Sequence, residues 1–294
     1  MTVEVLATGI GNPEGPDLLP DGRVVFVETF LGRLAAWSPR RGLHVFAEVG
    51  GGPNACALGR DGAYVTQTGG KAGPWRAPVQ TLPCIQRVRE GGAPEVVLDS
   101  VAGVPLQAPN DLAFGPDGRL YFTDPGDYDP SRPVDGRVCV IEPDGSASVV
   151  VQAGPVYPNG VACAPDGSLI WTETYPRRLR RLRPGGRVEL LATLPPGAVP
   201  DGVKLAVDGR LHVADVGAGG VHVLSPDGAR AGFIPTGGQP QNCVFAGSTL
   251  YVTDFGEPDA APADDPAPAT GRLLRVQLDY PGRRLSRGAI RRKA

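Results

Sequence analysis

A two-residue signature recurs at blade-like intervals along the chain and fixes most of what the sequence can fold into. Proline followed by a residue with a side-chain carbonyl or carboxylate occurs as Pro13-Glu14, Pro53-Asn54, Pro109-Asn110, Pro158-Asn159, Pro200-Asp201 and Pro240-Gln241. The polar members are spaced 40, 56, 49, 42 and 40 residues apart, a period that marks an array of equivalent supersecondary units. Seven residues beyond the polar residue, the first five copies carry Asp21-Gly22, Asp61-Gly62, Asp117-Gly118, Asp166-Gly167 and Asp208-Gly209. Asp-Gly tolerates the positive φ of a tight hairpin, so each unit begins with a strand, a turn and a second strand such as Arg119 to Asp124. The sixth copy has Gly247-Ser248 in place of the turn and keeps the following strand, Thr249 to Asp254.

Two further strands complete a unit, as in Gly219 to Ser225 and Ala231 to Pro235 around the turn Pro226-Asp227-Gly228. Six units of four antiparallel strands make an all-β, six-bladed β-propeller. After the sixth signature the chain supplies a third strand, Arg272 to Asp279, and no clear fourth. The opening run Val3-Glu4-Val5-Leu6-Ala7-Thr8 resembles the outer-strand sequence Val188-Glu189-Leu190-Leu191-Ala192-Thr193, so the N-terminal strand is expected to close the ring and leave no open edge. A two-sheet β-sandwich, the alternative, needs no fixed repeat. This gives one domain over residues 1–282 and a basic tail, 283–294, which reads as a solvated, frayed end. The 42 glycines and 32 prolines suit a turn-rich β chain, because 41% of residues are apolar and come in short runs. Two stretches break the period: Gly69 to Leu82, carrying Trp75 and Arg76, and Pro125 to Asp135, carrying Tyr128. Long ordered loops at one end of a rigid scaffold are expected to cover a site. Glu257 to Thr270, mostly Pro, Ala and Asp, reads instead as a disordered excursion.

A net charge of −2 gives no broad attraction to nucleic acid or to an anionic membrane, which leaves a small molecule as the expected partner. Cys56, Cys84, Cys139, Cys163 and Cys243 are odd in number and show no metal or disulfide spacing. With no basic, apolar leader at Met1 to Gly11, the expectation is a soluble cytoplasmic protein.

Because each polar residue opens the innermost strand of its blade, Glu14, Asn54, Asn110, Asn159, Asp201 and Gln241 are expected at one height around the axis. A hard cation such as Ca²⁺ takes six to eight oxygen ligands in flexible geometry, and two carboxylates would neutralise it. Asn-Gly and Asp-Gly pairs also mark ordinary turns. That reading fails across the set, since Glu14 and Gln241 are poor turn residues and the hairpin turn comes seven residues later. His44, His212 and His222 fall away from this position, and no G-x-S-x-G element is present, which disfavours a histidine base, a His-rich zinc site or a serine hydrolase.

The signatures Pro13-Glu14-Gly15-Pro16, Pro109-Asn110-Asp111, Pro158-Asn159-Gly160 and Pro200-Asp201-Gly202, with the strand end Phe122-Thr123-Asp124, resemble the senescence marker protein/gluconolactonase/luciferin-regenerating enzyme family over essentially the whole chain. The resemblance implies a divalent metal held by Glu14, Asn159 and Asp201, with Asn110 as ligand or substrate contact, and hydrolysis of sugar lactones or, in some relatives, of organophosphates. Asp201 is the candidate general base for the attacking water. Asn54 is a candidate substrate contact. An Arg that some animal members carry two residues before the blade-three Asn is Ala108 here, and Arg76 or Tyr128 is the candidate replacement. Ca²⁺ is the expected ion, with Zn²⁺, Mg²⁺ or Mn²⁺ as alternatives. The competing functions are a phosphotriesterase on the same ion, a metal-free propeller of the strictosidine synthase-like kind, and a non-catalytic binding module.

Overall fold

The computed structural model describes residues 2–257 and 270–291. Among these, six four-stranded antiparallel sheets are arranged as the blades of a propeller. From axis to rim, blade one is Pro13–Leu18, Val24–Glu28, Arg33–Ser38 and Gly42–Glu48, and blade two is Pro53–Leu58, Ala63–Gln67, Cys84–Val88 and Glu95–Leu98. Blade three is Leu112–Phe114, Leu120–Asp124, Gly136–Ile141 and Ala147–Gly154, and blade four is Pro158–Cys163, Leu169–Glu173, Arg178–Leu182 and Val188–Thr193. Blade five is Pro200–Leu205, Leu211–Asp215, Gly220–Leu224 and Arg230–Pro235. Blade six takes Pro240–Ala246, Thr249–Asp254 and Gly271–Gln277 from the end of the chain and Val3–Ile10 from its beginning. That last pairing, Val3 opposite Val276 and Val5 opposite Leu274, is the expected ring closure.

The turn glycines Gly22, Gly118, Gly167 and Gly209 have φ between 81° and 86°, which Asp-Gly hairpins require. The apolar residues of successive blades interleave. Leu112, Phe114 and Phe122 pack with Tyr64, Ile85 and Cys139 between blades two and three, and Ile170 and Leu179 pack with Val203 and Leu211 between blades four and five. Trp171, Phe26 and Phe122 are fully buried, each contributing about 1.5–3 kcal/mol of transfer free energy. Among the described residues no helix is long and apolar enough to cross a membrane. Two small hairpins lie outside the blades: Lys71–Ala72 with Trp75–Arg76, inside the first long loop, and Ser100–Val101 with Val104–Pro105. The sequence reading did not anticipate the second. The stretch Glu257 to Thr270 lies almost wholly outside the described residues.

The C-terminal segment departs from the frayed tail expected of its arginines. It crosses the face of the propeller remote from the long loops. Gly282 N–H donates to Gly247 O (2.8 Å), Arg283 N–H to Leu205 O (2.9 Å), Arg60 N–H to Gly288 O (2.7 Å) and Ile290 N–H to the Tyr64 hydroxyl (2.8 Å). Arg287 forms a two-pronged ion pair with the buried Asp17 at 2.7 and 2.8 Å. Leu285 and Ile290, spaced among the cations, supply apolar anchors, and Ile290 is 1% exposed. Residues 292–294 lie outside the described residues.

Candidate metal and substrate site

The fold aims the repeated polar residues at the axis by breaking the strand register at that point. Pairing with the second strand shifts between Glu14 and Asp17, Pro53 and Ala55, Pro158 and Val161, Pro200 and Val203, and Pro240 and Asn242. A β-bulge of this kind re-aims a side chain and bends the strand. The glycine after the polar residue then permits close approach of the inner strands: a Cβ on Gly160 would strike the Asp201 carbonyl, and one on Gly202 would strike the Asn242 side chain.

The neighbouring blade fixes the backbone of three ring residues. Thr66 at the end of the second strand of blade two donates its hydroxyl to Asn110 O, Thr123 donates to Asn159 O (2.7 Å), and Thr172 donates to Asp201 O (2.7 Å). The last residue of each second strand is a buried acid or amide, and in four blades it anchors the loop leading into an inner strand. Glu28 accepts from Gly11 N–H, Gln67 from Gly52 N–H, Asp124 from Ala108 N–H and Asp215 from Val199 N–H. The acids pair with a basic side chain on the third strand: Glu28 with Arg33, Asp124 with Arg137, Glu173 with Arg178, Asp215 with His222 and Asp254 with Arg272. Blade two has the neutral Gln67 there, and the facing residue is Cys84, so acid and cation are absent together.

Glu14, Asn110 and Asn159 are buried, and Asp201 is partly exposed at the mouth. Burial holds the Glu14 carboxyl well above the usual carboxylate range, and the nearby Asp201 and Asp111 charges push it further. Asp201 is likewise raised by burial and then by Asp111, while the Asn159 amide and Lys204 oppose the shift. These carboxyls therefore face one another in a medium that screens poorly and resist joint ionisation unless a cation is present. Two carbonyl oxygens of the ring, Asn159 Oδ1 and Asn54 Oδ1, are buried with no donor. Buried acceptors are normally satisfied, so a pair of orphans beside two mutually repelling carboxyls fits an oxygen-coordinated cation. The donor set is amide and carboxylate in mixture. Accordingly, no group of three His, Cys, Asp or Glu side chains able to hold a metal occurs among the described residues.

The other sequence candidates divide. Gln241 is buried and donates to Gln239 O, lining the channel. Tyr128 packs edge-on against Tyr157 (centroids 5.1 Å apart) and close to Tyr175 (5.7 Å), and feels the Asp201 charge. Arg76 is not brought to the ring. Its guanidinium pairs with Asp127 at 2.7 Å, and Gly73 N–H donates to the same carboxylate, so the two long loops are latched together. Trp75 stacks on Phe30 at 4.6 Å. His44, His212 and His222 lie in outer or intermediate strands, and burial lowers His212 to about 4.

Sequence reasoning missed Asp111, Lys204, Asn242 and Tyr157. Tyr157 precedes the blade-four signature, adopts φ 53°, and places its hydroxyl within reach of the Asn110 amide and near Asp201. A bulky residue in the left-handed region is strained by roughly 1–3 kcal/mol, which persists where the surroundings over-determine it. A signal for Lys204 was available: a lysine inside the apolar run Val203 to Ala206 on an innermost strand.

Residues 12–255 match the model of the SMP-30/gluconolactonase/LRE-like region. The chain belongs to this family. A gluconolactonase of Zymomonas mobilis subsp. mobilis is 27% identical over 297 residues, covering 85% of this chain and 78% of the relative. Among solved structures, a gluconolactonase from Xanthomonas campestris superposes with TM-score 0.75 at 24% identity, over 94% of this chain and 89% of that one. Regucalcin from Agrobacterium tumefaciens, a calcium-binding protein, superposes with TM-score 0.76 at 18% identity, over 99% of this chain and 97% of that one. At those identities the two structures establish the shared fold, and the family assignment rests on the sequence match.

Proposed function

We propose that the chain is a metal-dependent hydrolase that opens a small lactone or ester, a sugar-type lactone foremost, with Ca²⁺ as the cofactor. The observation that carries this reading is the donor-free Asn159 Oδ1 lying with Glu14 and Asp201 at the head of the channel. Glu14, Asn159 and Asp201, with Asn110, would hold the ion. When bound, it supplies Lewis acidity towards the carbonyl oxygen and makes water easier to deprotonate.

This chain's own groups supply the remainder. Asp201 takes the proton of the attacking water, for which its place at the mouth of the channel among the ring side chains suits it. Once the ring C–O bond breaks, the Asp201 carboxyl returns that proton to the departing alkoxide, which restores the carboxylate. Asn110 and the Tyr157 hydroxyl orient the substrate, Asn54 offers a further acceptor, and the Tyr128, Tyr157 and Tyr175 rings form a wall for the apolar face of a sugar ring. The Arg76–Asp127 latch acts on that wall through the loop that carries Tyr128.

The test is a panel of lactones and organophosphate esters assayed with and without a chelator, with Asp201→Asn alongside. The reading predicts lactone hydrolysis that the chelator abolishes and calcium restores, and a fall of about 10²–10⁴ in kcat for the variant. Chelator-insensitive turnover, near-normal hydrolysis by the variant, or turnover of organophosphates alone would contradict it.

A further inference from the structure

Below the ring, the channel contains a cation that the hydrolytic reading leaves unused. Lys204 is 8% exposed on the innermost strand of blade five, three residues after Asp201. Its Nζ lies 2.9 Å from Asn242 Oδ1 and 3.7 Å from Asp111 Oδ2. Asn242 Nδ2 lies 3.4 Å from Glu14 Oε2 and 3.4 Å from Asp111 Oδ2, so the amide bridges the lysine to the ring. Backbone donors fix both acceptors: Cys243 N–H to Asn242 Oδ1 (2.9 Å), Leu112 N–H to Asp111 Oδ1 (2.8 Å) and Val161 N–H to Asp111 Oδ2 (3.1 Å). The network draws on blades one, three, four, five and six and joins their inner strands on the axis. A lysine interior to a strand is costly to desolvate, and it persists only where fixed partners compensate.

We propose that Lys204 is a fixed internal counter-cation that matches the ring to a divalent ion. With Glu14, Asp111 and Asp201 ionised to receive a metal, these carboxylates and the one ammonium leave a net charge of −2. Without the ammonium it would be −3, which favours a trivalent ion over a divalent one. Lys204 acts through Asn242 and Asp111 and is a positioning residue. The inference rests on the metal reading of the ring and is independent of which substrate is hydrolysed.

The test measures binding of Ca²⁺ alone and of Tb³⁺ alone to the full-length protein, by calorimetry and by Tb³⁺ luminescence with Ca²⁺ competition. The proteins compared are the wild type and Lys204→Met, →Gln and →Arg. Lys204→Met nearly conserves volume, Lys204→Gln retains a donor for Asn242 while losing the charge, and Lys204→Arg retains the charge. Removing the one unit charge beside Asn242 and Asp111 is expected to raise the Tb³⁺-to-Ca²⁺ affinity ratio at least about tenfold in the Met and Gln variants. The Arg variant should stay near wild type, and Asp111→Asn added to Lys204→Gln should bring the ratio back. Should the Met variant fail to fold, the Gln variant decides. An unchanged ratio in Lys204→Gln, with calcium still bound, overturns the counter-cation role and leaves the metal reading standing. A wild-type protein that binds neither ion overturns both.

Discussion

At Glu14 and Asp201 the chain gathers carboxyls whose ionisation is opposed by poor solvation and then by neighbouring carboxylates, Asp111 among them, and this sets the sign of the pH dependence. Both folded-state pKa values lie above the unfolded carboxylate value of about 4. The metal-free fold therefore binds more protons than the unfolded chain as pH rises above that value, and it loses stability until the folded pKa is passed. A cation requires both carboxylates ionised, so its affinity changes in the opposite direction. Thermal unfolding with and without Ca²⁺ should show a calcium-induced rise in Tm that is large at pH 8 and shrinks towards pH 5. Glu14→Gln should reduce that rise at all pH values while the metal-free Tm stays equal or increases. A calcium effect independent of pH and of Glu14 would argue against the ring as the binding site. The ring was legible because its members recur in register with the hairpin turns. Asp111 and Asn242 were not, because each sits one residue past the repeated position, and for Asn242 the strand pairing breaks there. Tyr157 owes its place to a left-handed backbone conformation that carries no residue-type signature.

At the level of strands, the Thr-acid pair ending a second strand ties ring to blade. Thr123 holds Asn159 O, and Asp124 holds the Gln107 and Ala108 amides that lead into Asn110, with Arg137 at 2.9 Å. Asp124→Ala would leave the Arg137 guanidinium, 7% exposed, without its counter-charge. Breaking one side of a buried pair costs about 3–5 kcal/mol. Urea denaturation should show an unfolding free energy lowered by that amount, with the midpoint falling accordingly, together with weaker substrate binding caused by a looser Asn110. A loss below about 1 kcal/mol would mean that the pair is structurally idle. In the sequence, Phe122-Thr123-Asp124 was visible as a strand end, but its pairing with the next blade was not, since that contact depends on how adjacent blades stagger. The Ser100 to Pro105 hairpin escaped notice because strands of two residues are too short to show a period.

For the molecule as a whole, closure comes from both ends of the chain. Val3–Ile10 completes blade six, as the likeness of its sequence to the blade-four outer strand foretold. The strap from Gly282 to Arg291 was misjudged because arginine-rich composition describes solvation, while Leu285, Gly288 and Ile290 determine its path. Beneath it lies a cavity of about 50 Å³ lined by Asp17, Cys56, Cys163, Lys204 and the strap itself. Removing residues 283–294 should open this lower end to water, lower the Tm, and increase labelling of Cys56 by a small thiol reagent. Unchanged labelling would show that the strap does not seal the channel. The account as a whole stands on one cation at the head of the axis, and anomalous diffraction from crystals grown with Ca²⁺ tests it most directly. A single strong peak contacted by side-chain oxygens of Glu14, Asn159 and Asp201 is the expected result; an axis without such a peak, in crystals of protein that is active without calcium, would contradict it.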